Sequence, residues 1–324
     1  MLDKTILHKA ASQGIISPEQ ANALLAFIKH ESKPVGGGEE QLRFVRGFGD
    51  IFIALGIILV AISFKFIGID GYYYTIPIIT FVITAEWLVR VRKLALPGIA
   101  ILLSIIYFVN AFFSLTGDEK SFTNLGIIAA TSLIFFLRYK MPFSLLPVAA
   151  GIIAMLVYTI GIDIIHQPYM LSFMGLAVFS VAMWFDARDT QRNSYLSDSA
   201  FWLHLLAAPL IAHGIMIVIV LAEPGSFLDA YRNFFIIGFF IFFFLTALFV
   251  DRRALLISST AYAIYAITQL AKGQFADVQS LIAFVFMAFG IFVVLFGTYW
   301  YKARSFIFGW ISNTHFTKYV PAFK

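Results

Sequence analysis

Residues 47–67 read GFGDIFIALGIILVAISFKFI, an apolar stretch with charge only near its two ends. A hydrocarbon core about 30 Å thick is crossed by roughly 20 apolar residues in a helix rising about 1.5 Å per residue, and this stretch has that length. Because lipid offers the backbone no hydrogen-bond partners, the segment reads as a transmembrane helix. Nine more follow, near residues 72–91, 94–115, 121–138, 142–162, 168–186, 198–222, 231–250, 254–271 and 279–301. The fold class is therefore all-α: a polytopic helical membrane protein of about ten spans.

Composition agrees. Of 324 residues, 60% are apolar and 13% charged, against about 45–50% and 25% in soluble domains. Mean hydropathy is +0.88. The opening MLDKTILHKAASQG lacks a continuous apolar core, so the first span is expected to direct insertion. Zero cysteines exclude disulfides, thiolate metal sites and cysteine nucleophiles.

Charge gives the topology. With the N-terminus placed in the cytoplasm, 19 of the 23 Lys and Arg residues fall on that side, leaving Lys65, Lys120, Arg232 and Lys272 on the other. The positive-inside rule thus predicts an N-in, C-in protein, and adding or losing one span would scramble the split. Trp87, Trp184, Trp202 and Trp300 are expected at the cytoplasmic interface, and Tyr72, Tyr73, Tyr74, Tyr169 and Tyr231 at the opposite one. The basic turns from the second onward open onto similar segments, RVRKLALPGIAILL, RYKMPFSLLPVAAGII, SDSAFWLHLLAAPLIAHGI and DRRALLISSTAYAIYAI, which suggests parallel two-helix repeats. The +5 net charge follows this membrane pattern and needs no nucleic acid.

Three regions result: residues 1–38, a cytoplasmic helical hairpin with a Gly-rich linker; 39–301, the ten-helix membrane domain; and 302–324, an aromatic and basic tail expected to lie along the membrane interface. In the hairpin, Ser17 as N-cap, Pro18 at the first helical position and Gln20 three residues after the cap form a capping box. Ala21, Leu24, Leu25 and Ile28 then line one face. The hairpin suits a cytoplasmic protein partner, self-association or the chain's own loops. The GIISPEQ turn, the Gly-rich break and RFVRGFGDIFIALGIILVAIS together resemble the start of a family of bacterial polytopic membrane proteins whose function is unassigned. The resemblance spans about the first 65 residues; it implies a multi-pass protein of the bacterial inner (plasma) membrane and carries over no site residues.

Ionisable groups within spans are costly and default functional candidates. Glu86 and Arg90 are spaced i, i+4 near the cytoplasmic end of the second span, and Asp50 sits in the first turn of the first. The seventh span carries His204, Pro209 and His213, with Ser197 or Asp198 as its N-cap. Nine residues separate the histidines, which places them on opposite sides of a helix, so they do not chelate together. Pro209 permits a kink. Asn110 in the third span and Tyr262, Tyr265 and Gln269 on one face of the ninth could rim a pocket with His213. Asp186, Asp189, Asp198 and Asp251 are expected to be solvated or paired near the basic turns. Gly49, Gly56 and Ser63 in the first span, and Ala283, Gly290 and Gly297 in the tenth, permit close backbone approach and predict tight packing of both helices, with one another as a candidate pairing.

Catalytic motifs are missing: no HExxH, GxSxG, Walker or Rossmann pattern occurs, and no cofactor or metal is implied. The leading expectation is a carrier or handler of an apolar or amphiphilic small molecule or lipid, with membrane lipids as partners. The alternative is a non-transporting scaffold or sensor whose hairpin binds a cytoplasmic protein.

Overall fold

The computed structural model describes residues 4–31, 45, 47–114, 121–272, 274–275, 277–311 and 315–322. The Gly-rich linker and the entry arginines Arg43 and Arg46 lie outside the described residues. Thirteen helices occur among them: α1 (Lys4–Ser12), α2 (Pro18–Glu31), α3 (Phe48–Phe66), α4 (Thr75–Ala85), α5 (Ala95–Ser114), α6 (Ser121–Tyr139), α7 (Leu145–Ile160), α8 (Pro168–Arg188), α9 (Tyr195–Val220), α10 (Phe227–Ala230), α11 (Arg232–Val250), α12 (Ala254–Ala271) and α13 (Val278–Phe308). Ten helical segments are long and apolar enough to cross a membrane, and they coincide with the ten expected spans. The chain is an integral membrane protein.

In the hairpin the capping box forms: the Ser17 amide donates to Gln20 Oε1 at 2.9 Å and the Gln20 amide to Ser17 Oγ at 3.1 Å. Leu7 and Ala21 are buried between α1 and α2, while Leu24 stays exposed.

The helices pack largely in chain order. α5 sits against α3, α4 and α6; α6 pairs with α7; α7 meets α9; and α9 packs on α8 and α12, with α11 and α13 beyond. The α8–α9 pair is the most extensive contact, and α9 is the most buried span. It stays helical through Pro209. It also starts earlier than expected. Ser194, held by the Asp189 carboxylate, is the N-cap and accepts from the Leu196 amide.

All four basic turns lie at one end of the bundle. Glu86 of the first reaches Arg138 of the second, Phe143 after the second meets Trp202 at the start of α9, and Asp186 before the third binds Arg252 in the fourth. Each turn also contains one non-glycine residue with left-handed backbone, at Lys93, Lys140, Arg192 and Asp251, and these are the only such residues among those described. At the opposite end the left-handed positions are glycines, such as Gly161 closing α7. A left-handed residue therefore recurs in the turn ahead of α5, α7, α9 and α12, the helices that open the proposed repeat units.

Two packing expectations are corrected. A Cβ added at Gly49, Gly56, Gly290 or Gly297 would meet nothing within 4 Å, and α3 packs on α5 while α13 packs on α11 and α12. Close backbone approach occurs instead between α8 and α9, where a Cβ on Gly175 would lie 2.8 Å from the Ile211 nitrogen and one on Gly214 2.7 Å from the Pro168 oxygen. The α11–α13 contact is filled by phenylalanine: Phe244 packs on Phe292 and Phe296, while Phe234 and Phe242 face outward.

Candidate functional site: an apolar groove closed by charge

α4 ends in a π-helical turn, Glu86–Val91, in which the Arg92 amide donates to the Trp87 carbonyl at 3.0 Å. Such widened turns insert into helices at a local energetic disadvantage and are frequent at functional sites. Glu86 heads this turn, and four donors converge on its carboxylate. Arg138 of α6 binds it bidentately, Nε to Oε1 at 2.9 Å and Nη2 to Oε2 at 3.0 Å. Arg90 donates to Oε2 at 3.1 Å, and the Tyr139 hydroxyl to Oε1 at 3.1 Å. The forked Arg–carboxylate geometry fixes orientation as well as charge.

The cluster closes one end of a groove of about 590 Å³ between α4, α5 and α6. Ile105, Val109 and Phe113 line it from α5 at every fourth residue; Ile127, Thr131, Ile134 and Arg138 line it from one face of α6. Its volume lies in the range of small-molecule sites, about 300–1,000 Å³. Val82, Phe113 and Ile134 are exposed on the bundle surface, so the groove opens sideways, toward where lipid would lie.

A second polar layer is buried under the third and fourth basic turns. Asp186 accepts from Arg252 through both oxygens, with Nε at 3.1 Å, and lies 2.9 Å from His204 Nε2. Arg252 also donates to the Ser197 hydroxyl at 2.8 Å. Asp251 pairs with Arg192 at 3.1 Å and accepts from Trp300 Nε1 at 2.6 Å. Asp186 and Asp251 are thus paired but buried, and Trp300 is buried with them rather than part of an interfacial belt. Arg304 donates to the Leu248 carbonyl at 2.8 Å and to the Pro321 and Ala322 carbonyls, which draws the tail back over the bundle end. Burial pushes the Asp189 carboxyl up, but hydrogen bonds from the Ser194 hydroxyl and the Asn193 and Ser194 amides outweigh it and hold the group below the usual range.

The sequence candidates therefore fall in five places. Glu86 and Arg90 belong to the groove. His204 belongs to the buried layer. His213 lies on the outer face of α9, its Nδ1 2.6 Å from the Tyr262 hydroxyl of α12, with Tyr265 and Gln269 further along α12. Asn110 sits on α5, whose main neighbours are α3, α4 and α6, so it does not share a pocket with His213. Asp50 is buried in the first turn of α3. A separate apolar pocket of about 300 Å³ between α8 and α9 is lined by Gly214 and Ile215 but not by His213. Arg138 and Tyr139 escaped the sequence reading. Their signal was depth, since the map puts the RYK turn level with Glu86. No group of three or more His, Asp or Glu side chains among the described residues is placed to hold a metal ion. No protein-family model matches the chain, and no curated protein and no solved structure matches it.

Proposed function

We propose that this is a bacterial inner-membrane protein that binds and handles a lipid-like amphiphile in the α4–α5–α6 groove, with its basic turns and both termini in the cytoplasm. The observation that carries the reading is the groove itself: an apolar trough open sideways and capped at one end by Glu86, Arg138, Arg90 and Tyr139. An apolar body and a polar head would each find a matching surface there. The distribution of basic residues supports the orientation. A partner-binding role for the hairpin stands beside this one, because Leu24 and Phe27 on α2 and Ile15 in the turn before it are exposed.

Photolabelling tests the groove. The full chain in phospholipid nanodiscs would be irradiated with a diazirine-bearing monoacylglycerol and the adducts mapped by peptide mass spectrometry. Adducts should concentrate on α5 and α6 between Ile105 and Arg138. Ala130→Trp and Thr131→Trp, which fill the trough, should reduce them by more than half, whereas Ile257→Trp on exposed α12 should not. Adducts spread evenly over all outward surfaces would refute the reading.

A further inference from the structure

The charge around the groove selects among amphiphiles. From 71 to 117 Glu86 is the only acidic residue, and there is none from 120 to 162. At the closed end of the groove this one carboxylate is shared by Arg138 and Arg90, while Arg92, Lys93 and Lys140 occupy the adjoining turns. Among the described residues, the cluster within hydrogen-bond reach holds two arginines and one carboxylate, one anion short of neutrality. It stands at the edge of an apolar trough, where an unbalanced charge is stabilised less well than in water. Tyr139 adds a hydroxyl donor rather than a negative charge.

Length points the same way. From Ile127 to Arg138 along α6 the lining runs eleven residues, about 16 Å at 1.5 Å per residue, or roughly half the hydrocarbon thickness. The trough is one leaflet deep, with its charge at the headgroup end.

Resting on the groove reading above, we propose that the occupant is an anionic amphiphile one leaflet long, whose headgroup docks on the Arg138 guanidinium. Glu86 is the headgroup's built-in competitor. When the anion arrives, Arg138 turns its fork to the headgroup and Glu86 remains with Arg90, so two cations face two anions. The π-helical turn that carries both Glu86 and Arg90 lets them move together.

Competition against the neutral diazirine probe tests this. Oleate should displace groove labelling at about tenfold lower concentration than mono-oleoylglycerol, the advantage expected of a charge-assisted hydrogen-bond pair. Inorganic phosphate, a headgroup charge without a chain, should displace none. Arg138→Gln should remove the oleate advantage and Arg90→Gln reduce it, while Glu86→Gln should enlarge it about threefold by deleting the competitor. Because the Glu86 and Arg138 variants move the preference in opposite directions, general loss of folding cannot mimic the pattern. If probe labels the groove but oleate and mono-oleoylglycerol compete equally, or if Glu86→Gln weakens oleate, the anionic preference is overturned and the groove reading stands. If no probe enters the groove, both fall. If phosphate competes as well as oleate, the site takes a free anion and the amphiphile assignment is overturned.

Discussion

Arg252 shows how much of this molecule is decided by single side chains at the basic end. It is almost wholly buried, and its guanidinium holds the Asp186 carboxylate and the Ser197 hydroxyl together, so α8, α9 and the turn before α12 meet at one cation. A buried ion pair adds little net stability over an apolar pair of the same shape, but removing one partner strands the other charge. Arg252→Ala should therefore destabilise the protein by about 3–5 kcal/mol. Arg252→Lys should recover only part of this, because a point charge cannot reproduce the planar fork. Thermal unfolding in detergent micelles would measure both, and an unchanged transition in Arg252→Ala would refute the role. The sequence indicated that Asp186 and Arg252 lie at the same end, but not that they touch, since 66 positions separate them. Charges beside a membrane are expected to be wet. That these are dry follows from how α8, α9 and α12 converge, which no local pattern records.

At the scale of helices, small residues mattered where they were least conspicuous. The regular spacing in α3 and α13 leaves Gly49, Gly56, Gly290 and Gly297 without neighbours, whereas Gly175 and Gly214 bring α8 and α9 into backbone contact. Lipid-embedded helices gain little from apolar burial alone, so close dispersion contact and interhelical hydrogen bonds must hold them. Ser172 supplies one such bond, donating to the Ile211 carbonyl at 3.2 Å. Gly214→Ala should push α9 off Ser172 and Pro168 and destabilise by about 1–3 kcal/mol, an overpacking effect. Gly56→Ala has open space and a helix-propensity gain, so it should leave stability unchanged or raise it by up to about 1 kcal/mol. Paired melting curves for the two variants would decide between contact and spacing as the determinant. Spacing was visible in the sequence; the partner that gives it meaning was not. The left-handed turn residues are a further case: Lys93, Lys140, Arg192 and Asp251 carry no glycine signal, although each basic turn contains one.

For the whole molecule, the ten helices were legible because each span is a local property, about 20 consecutive residues that must satisfy their own backbone. The groove was legible only in part. Glu86 and Arg90 share a helix turn and announce themselves; Arg138 and Tyr139 come from a different helix, and only the folded bundle brings all four together. The charge split makes the firmest prediction about the molecule as a whole. A chain without cysteine offers a silent background, so single cysteines can be introduced at exposed turn positions on either end. Gln191→Cys lies in the turn after α8, at the basic end; Glu223→Cys lies beyond α9, at the opposite end. If the basic turns face the cytoplasm, a membrane-impermeant maleimide added to intact spheroplasts should label the cysteine at 223 and spare the one at 191, with both labelled once the membrane is broken. The reverse pattern would invert the topology and put the anion-binding end of the groove in the outer leaflet. Equal labelling of both in intact spheroplasts would break the alternation of ten crossings, and with it the single basic end on which the Glu86 cluster and the buried layer depend.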